Sequence, residues 1–363
     1  MNRDLNFGRM LILTMVPIVG FGIFDVANLS ARAASTTAWL AIVLAGVLIL
    51  PSVFMLNYLS RHHEGMEITA YAQKILGKHG GHIVSYLYLL FYTIFFGFLV
   101  SYFSYIVKLW ILPDVNLHLI AAFLIIVCML TASKDFTSVL RLVCFVSILA
   151  ILAMVVMRTA MFFIKGDLNR ILPLFEAERL NMTFVRGVLK IFPFFFGVGV
   201  LAVIPQKRKR GASGGTYLAV GVAVLLLILA ASACISLIGV KQTAIYRDAM
   251  VMSMKQLNFA RLNFTQRTDI LFIITWTAFI LCASAVMSYI PKTIFIRLHE
   301  NADRPLFYLI YALLLFLLSL IPQSLEQVMD LIWKCCMTLG VLALFVLPLL
   351  LIIVMGVKTH GKR

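Results

Sequence analysis

Long apolar runs separated by short charged segments make up most of the chain. A helix needs about 20 mostly apolar residues to cross the hydrocarbon core of a bilayer. Such runs predict ten membrane-spanning helices, at approximately 10–30, 38–59, 83–107, 117–133, 139–164, 184–205, 216–240, 268–290, 305–321 and 329–356. The pattern predicts an all-α polytopic membrane protein, with residues 1–363 forming a single integral membrane domain.

Composition supports this interpretation, because 62% of the 363 residues are hydrophobic and only 13% are charged. Soluble domains contain about a quarter charged residues and about half apolar ones. The formal net charge of +16 does not indicate a nucleic-acid partner, because no soluble basic domain is present to bind one. Lys and Arg instead collect in the cytoplasmic loops of membrane proteins.

The distribution of Lys and Arg predicts the orientation of the chain. With the N-terminus in the cytoplasm, the inner segments contain many basic residues, among them the run at 206–211. The three short outer loops then contain only Arg32, Lys108 and Lys334. We therefore expect both termini on the cytoplasmic side, which agrees with an even number of spans.

Two Gly-x-Gly pairs interrupt apolar runs at matching places in the two halves of the chain. Gly20 and Gly22 lie in the first predicted span, and Gly197 and Gly199 lie in the sixth. In lipid, non-helical backbone occurs only where it lines a cavity or is buried in protein. Interrupted helices at corresponding positions of two halves indicate a transporter-type binding site. The pairs predict a broken-helix site shared by two five-helix halves, at about 10–164 and 184–356; close helix packing is the alternative role for the glycines.

Asp25 is the sharpest candidate for chemistry, because a charge within a span usually faces a cavity or a partner. It can serve as counter-ion to an ammonium group or as a protonatable switch; capping a half-helix is the structural alternative. The predicted ligand-binding residues are Gly20, Phe21, Gly22, Ile23, Asp25, Tyr92, Phe196, Gly197, Val198 and Gly199.

A few other polar residues lie in or beside predicted spans. Arg267 and Asp269, at the start of the eighth span, form either a structural pair or an outer gate. We expect Arg158 to extend its charge towards the lipid headgroups. Ser284 is a candidate cation ligand, although a bond to its own helix backbone is the simpler expectation. The pattern contains no paired carboxylates, metal triad or nucleophile–base set in its apolar segments, so we expect neither an enzyme nor a cofactor or metal site.

Four short strings resemble the B subunits of spore germinant receptors, a family within the amino acid–polyamine–organocation superfamily. The strings are the Gly-x-Gly-Ile at 20–23, "AYAQKILGKHGGHI" at 70–83, "LNRILPLF" at 168–175 and "RTDILFIITW" at 267–276. The resemblance covers about residues 8 to 357. The chain departs from the family at Val26-Ala27, where a Leu-Pro is usual, and at Gly197-Val198-Gly199, which lacks the usual acid.

The resemblance implies a LeuT-like, ten-span inverted-repeat fold and a nutrient sensor in the inner membrane of a bacterial spore. It implies a small, amino acid-like germinant, a receptor A subunit with large soluble domains, and a lipoprotein C subunit. Two alternatives remain open, because function belongs to sites rather than folds. One is a secondary permease that moves an amino acid or amine with H⁺ or Na⁺, and the other is a water or ion conduit.

Overall fold

The computed structural model describes residues 6–63, 65–203, 211–257, 268–299 and 304–360. Within these ranges every regular element is helical and no strand occurs. The first eight α-helices are α1 Phe7–Gly22, α2 Val26–Ala34, α3 Ala38–His62, α4 Ile68–Trp110, α5 Leu117–Ser133, α6 Phe136–Ala160, α7 Met182–Ile191 and α8 Val200–Val203. The others are α9 Ala212–Ile238, α10 Val240–Ile245, α11 Ala249–Gln256, α12 Thr268–Leu298, α13 Arg304–Leu320, α14 Leu325–Cys335 and α15 Leu347–His360.

The chain is an integral, multi-pass membrane protein, as its apolar pattern predicts. Among the described residues, seven helical stretches are long and apolar enough to cross a membrane, namely Val26–His62, Ile68–Trp110, Phe136–Lys165, Met182–Val203, Ala212–Ile238, Thr268–Leu298 and Leu325–Lys358. Three shorter helices are also apolar, namely Phe7–Gly22, Leu117–Ser133 and Leu306–Leu320. Large apolar side chains such as Phe54, Phe123 and Leu225 are exposed, which suits a surface covered by lipid rather than water.

Helix α1 lies in the interior of the bundle. It packs against α9, α12 and a 3₁₀ segment at Phe192–Gly199. Ten consecutive residues of α1, from Leu13 to Gly22, are buried. A helix that is apolar all round has no stripe that must face water, so the composition of α1 is compatible with burial inside the bundle.

Helix α4 changes direction at Gly77, where the backbone φ is +82°. A residue with a side chain rarely adopts this φ, whereas glycine adopts it readily. The bend separates a short helix at 68–76 from the long apolar helix that contains the predicted third span. That long helix supplies buried aromatic residues to the centre of the bundle, among them Tyr92, Phe95 and Tyr102.

Several helices contain turns that are tighter or wider than an α-turn. The 3₁₀ segment is the longest tight stretch, and π-helical turns occur at Met161–Lys165, Cys336–Gly340 and Leu342–Val346. Wide turns leave carbonyl groups without an α-helical partner. At one of them the Tyr88 hydroxyl of α4 donates to the Ala343 carbonyl, which ties α4 to the last apolar stretch.

Candidate functional site

The first Gly-x-Gly pair lies at the end of a helix. Helix α1 ends at Gly22 and α2 begins at Val26, so Ile23 to Asp25 link two half-helices. The Ile23 N–H donates to the Val19 carbonyl at 3.0 Å, and Trp276 Nε1 of α12 donates to the Gly20 carbonyl at 3.2 Å. These bonds use carbonyl groups that a helix end would otherwise leave without partners.

Asp25 occupies this break, at the N-terminus of α2. Only 3% of the residue is exposed, and the Tyr102 hydroxyl of α4 donates to its Oδ2 at 2.6 Å. No other hydrogen bond or ion pair from the described residues reaches the carboxylate. Asp25 lies at the N-terminus of α2, where the positive end of the helix dipole faces it. The break therefore presents a buried carboxylate that one phenol holds in place.

Asp25 also lines a polar cavity of about 600 Å³. We call this space the polar cavity; its lining residues are Asp25, Asn28, Leu29, Arg32, Lys190, Arg247, Glu326, Met329, Asp330 and Trp333. Arg32, Lys190, Glu326 and Asp330 are exposed, so the cavity communicates with the surface while Asp25 lies at its buried end. Its volume is in the range of small-molecule sites, about 300–1,000 Å³.

Three acidic and three basic side chains line the polar cavity, a balance that suits a ligand with both charges. Several are held by the protein. Asp330 pairs with Lys334 at 2.6 Å, Arg247 Nη2 donates to the Leu325 carbonyl at 2.7 Å, and Arg32 Nε donates to the Ala244 carbonyl at 2.6 Å. A guanidinium has five N–H donors, so the donors of Arg247 that do not bond to the Leu325 carbonyl are available to an anionic group.

Asn28 fixes the wall of the polar cavity. Its buried Nδ2 lies 3.0 Å from the Thr243 carbonyl, 2.9 Å from that of Ala244 and 2.7 Å from that of Tyr246. These carbonyls belong to α10 and the residue after it. The contacts anchor α2, and with it the position of Asp25, to the connection between α9 and α12.

The second Gly-x-Gly pair lies where its span is a 3₁₀ helix rather than an α-helix, whereas the first pair lies where a helix ends. Residues Phe192–Gly199 continue α7 as a 3₁₀ helix that leads into α8. Pro193 lies in the first turn of this segment and has no N–H to donate; the Leu189 carbonyl, four residues earlier, instead accepts from Trp333 Nε1 at 3.0 Å. In a 3₁₀ helix each backbone N–H donates to the carbonyl three residues before it. The backbone of this segment therefore stays hydrogen-bonded, in a helix narrower than an α-helix.

The space between α1 and the 3₁₀ segment is nearly filled. A cavity of only about 10 Å³ remains, lined by Pro17, Phe21, Phe95, Leu99, Phe194, Gly197, Ile280, Ala283, Ser284 and Met287. We call it the small cavity; it has room for about one water molecule. Phe21 is one of its lining residues and makes edge-to-face contacts with Phe95, Tyr102 and Phe194 at centroid distances of 6.1, 5.4 and 5.0 Å.

The predicted ligand-binding residues therefore separate into groups. Asp25 lines the polar cavity, and Phe21 and Gly197 line the small cavity. The remaining seven line neither of these cavities, namely Gly20, Gly22, Ile23, Tyr92, Phe196, Val198 and Gly199.

Two of these glycines permit close approach of helices. A Cβ on Gly199 would lie 1.5 Å from the Tyr92 hydroxyl, and one on Gly197 would lie 2.6 Å from Pro17 Cβ. These contacts support the alternative role of close packing for the second glycine pair.

The other polar candidates have mixed outcomes. Arg267 lies outside the described residues, and Asp269 is buried in the first turn of α12. The expectation that Arg158 extends to the headgroups is wrong, because the residue is 1% exposed and lies inside the bundle. Its guanidinium instead lies over the Phe272 ring of α12, 4.8 Å from the centroid. Ser284 borders the small cavity.

Sequence reasoning missed most of the polar cavity. Tyr102 lies ten residues after Tyr92 on α4, nearly three helical turns, and this spacing is a signal that could have suggested it. Lys190, Arg247, Glu326, Asp330 and Trp333 come from three separate segments, and no local pattern connects them.

The fold is similar to that of a known class of membrane transporter. A structure of Mhp1, a nucleobase-cation-symport-1 family transporter in a closed conformation with bromovinylhydantoin bound, is similar with a TM-score of 0.65. The similarity covers 93% of this chain and 77% of that one at 15% sequence identity, so it defines a shared fold alone.

A family model described as spore germination protein matches residues 4–328. The chain therefore belongs to the spore germination protein family, as the four strings indicated. Among proteins with curated descriptions, none matches the sequence significantly.

Proposed function

We propose that this chain is the membrane subunit of a nutrient (germinant) receptor and binds a small, amino acid-like ligand at its first and sixth spans. One observation carries the proposal: the Asp25 carboxylate lies between two half-helices, buried, at the end of a cavity of about 600 Å³. A buried acid of this kind within a membrane span is a functional site by default.

The proposed architecture is the ten-span, five-plus-five inverted repeat with LeuT-like topology, in one domain with repeats at about 10–164 and 184–356. The seven long apolar stretches and three shorter apolar helices support this number of spans. In this architecture the break after Gly22 would be that of the first helix, and the 3₁₀ segment would be the irregular part of the sixth. Both termini would then face the cytoplasm, and the polar cavity would open on the outer side.

The charges of the polar cavity suggest how the ligand binds. An ammonium group would bind the Asp25 carboxylate, whose Oδ2 already accepts from Tyr102. A carboxylate on the same ligand would bind the donors of Arg247 or Lys190, which line the same cavity. The similar transporter structure contains a small organic ligand, which supports a small-molecule site in this fold.

Binding would act as a signal by favouring one arrangement of the bundle. A ligand shifts such an equilibrium only by its difference in affinity for the two states. The receptor A subunit and the lipoprotein C subunit would detect the change, in the inner membrane of a bacterial spore. Membership of the spore germination family supports this setting.

A secondary permease for an amino acid or amine is the second candidate, favoured by the likeness to a transporter structure. A water or ion conduit through the same cavity is a variant of it. Uptake of labelled amino acids into vesicles that contain this chain alone supports the permease. Binding without uptake, together with a germination defect when the chain is deleted, supports the receptor.

The decisive experiment measures amino acid binding to the purified chain in lipid nanodiscs by calorimetry. We expect Asp25→Asn to weaken binding about 30-fold or more, because removing one partner of a buried charged pair costs about 2 kcal/mol or more. Analogues that lack the amine should bind wild type and variant equally. Asp114→Asn, at an exposed position, is the matched control and should bind like wild type. Unchanged affinity and unchanged selectivity for the amine in Asp25→Asn would refute the site.

A further inference from the structure

Arg158 is a buried cation that the proposed ligand site does not use. It lies on α6, two residues before that helix ends, and is 1% exposed. Its guanidinium lies over the Phe272 ring of α12 at 4.8 Å from the centroid. Cys234 of α9 is a close neighbour. The charge therefore lies where three helices meet.

The partners of this guanidinium are weak. Nη1 contacts the Met161 sulfur at 3.5 Å, while Nε and Nη2 are buried and have no hydrogen-bond partner. Among the described residues the ion pairs do not include Arg158. Residues 258–267, which precede α12 in the sequence, contain no Asp or Glu.

Nε and Nη2, the two nitrogens of Arg158 without a partner, are adjacent on the guanidinium. Nε–H and Nη2–H are parallel donors on one edge of the planar guanidinium, the edge that holds an anion with two bonds. A buried charge without a counter-ion is costly, more so within a membrane span. Stacking on Phe272 compensates only a small part of this cost.

We propose that the Nε/Nη2 edge of Arg158 binds a small monovalent anion, of which chloride is the test case. The anion would neutralise the guanidinium and join α6, α9 and α12. Phe272 also stacks on Phe24, beside Asp25, at 6.3 Å between centroids. The anion would thus stabilise the helices that support the first break, whether or not that break binds an amino acid.

The experiment measures the melting temperature of the full chain in nanodiscs while chloride replaces gluconate at constant ionic strength. We expect a saturable rise with chloride for wild type and none for Arg158→Gln. Arg158→Lys keeps the charge but lacks the paired donors, so its half-saturating chloride concentration should rise at least tenfold. Arg179→Gln, at an exposed position, should behave like wild type.

Two outcomes would overturn the proposal. The first is a wild-type melting temperature that does not depend on chloride. This result can be obtained even when Arg158→Gln does not fold. The second is an Arg158→Gln protein that keeps the wild-type dependence. Asp269, one helical turn before Phe272, supplies the rival explanation of an internal counter-ion. In that case chloride has no effect on wild type, Asp269→Asn destabilises the protein, and adding Arg158→Gln restores the stability.

Discussion

Replacing Gly199 by alanine tests the packing between the 3₁₀ segment and α4. The new Cβ would lie 1.5 Å from the Tyr92 hydroxyl oxygen, 2.8 Å from Tyr92 Cζ and 2.9 Å from Leu344 Cδ2. Tyr92 cannot simply move aside, because it is 1% exposed and its ring packs against Phe91 at 4.8 Å between centroids. One helix must shift, and such overpacking costs about 1–3 kcal/mol.

Tyr92→Phe isolates the cause of this destabilisation. The Tyr92 hydroxyl is buried and has no hydrogen-bond partner in the structure, so its removal alone should be neutral or stabilising. In the presence of Gly199→Ala, the same change removes the 1.5 Å contact and leaves 2.8 Å as the shortest distance. We expect the double variant to recover about 1 kcal/mol relative to Gly199→Ala, a coupling of the size seen between residues in contact.

The assay is thermal unfolding of the purified protein in one lipid composition, monitored by tryptophan fluorescence. Gly221→Ala on α9 is the matched control, because no atom lies within 4 Å of its added Cβ. The expected order of melting temperatures is wild type and Tyr92→Phe highest, the double variant next and Gly199→Ala lowest. Equal melting of Gly199→Ala and Gly221→Ala would refute the packing argument. Weaker ligand binding by Tyr92→Phe would instead return Tyr92 to the ligand site.

Two further predictions concern residues that connect helices. Glu67 precedes α4 and pairs with Arg297 at 3.8 Å, and its burial raises its pKa to about 7 from 4.5. Because the folded-state pKa is the higher one, the protonated form favours folding, and stability falls by about 3 kcal/mol as pH rises from about 4.5 to 7. In melting curves measured at several pH values, Glu67→Gln should flatten this pH dependence, whereas the exposed Glu178→Gln should keep it. A steep pH dependence in Glu67→Gln would show that Glu67 is not its cause. Asn28→Asp should lower the melting temperature more than Asn28→Ala, because its carboxylate oxygens face three carbonyls; the reverse order would show that Asn28 donates none of these bonds.

The sequence is a good guide to the helices of this protein because lipid imposes a simple rule. Every apolar run of about 20 residues must satisfy its own backbone, which a helix does. Each predicted range overlaps a helix of the structure. The sequence does not predict which face of each helix is buried, because a helix that is apolar on all sides gives no signal for the side that faces its neighbours. The burial of α1 and the bend at Gly77 therefore required coordinates.

The candidate site was predictable only where one residue breaks the local pattern. Asp25 stands out as a charge in an apolar run, whereas its partner Tyr102 lies 77 residues away in an aromatic-rich helix. Arg247 and Asp330 belong to polar segments in which charges are ordinary. The pair Gly197 and Gly199 was a correct signal of unusual backbone, but glycine permits both an open break and a tight helical contact. The close contacts with Pro17 and Tyr92 favour the tight helical contact, and these residues come from other helices.

The small cavity has a consequence for ligand affinity in the proposed receptor function. With room for about one water beside Phe21 and Gly197, the space between the first and sixth spans admits an amino acid only when the helices separate. A ligand that binds there has an apparent affinity reduced by the fraction of molecules that are already open, about 100-fold at 1% open. The strength of the aromatic contacts of Phe21 would thereby set the ligand concentration at which the proposed receptor responds. Substitutions that weaken the aromatic contacts of Phe21 should therefore lower that threshold.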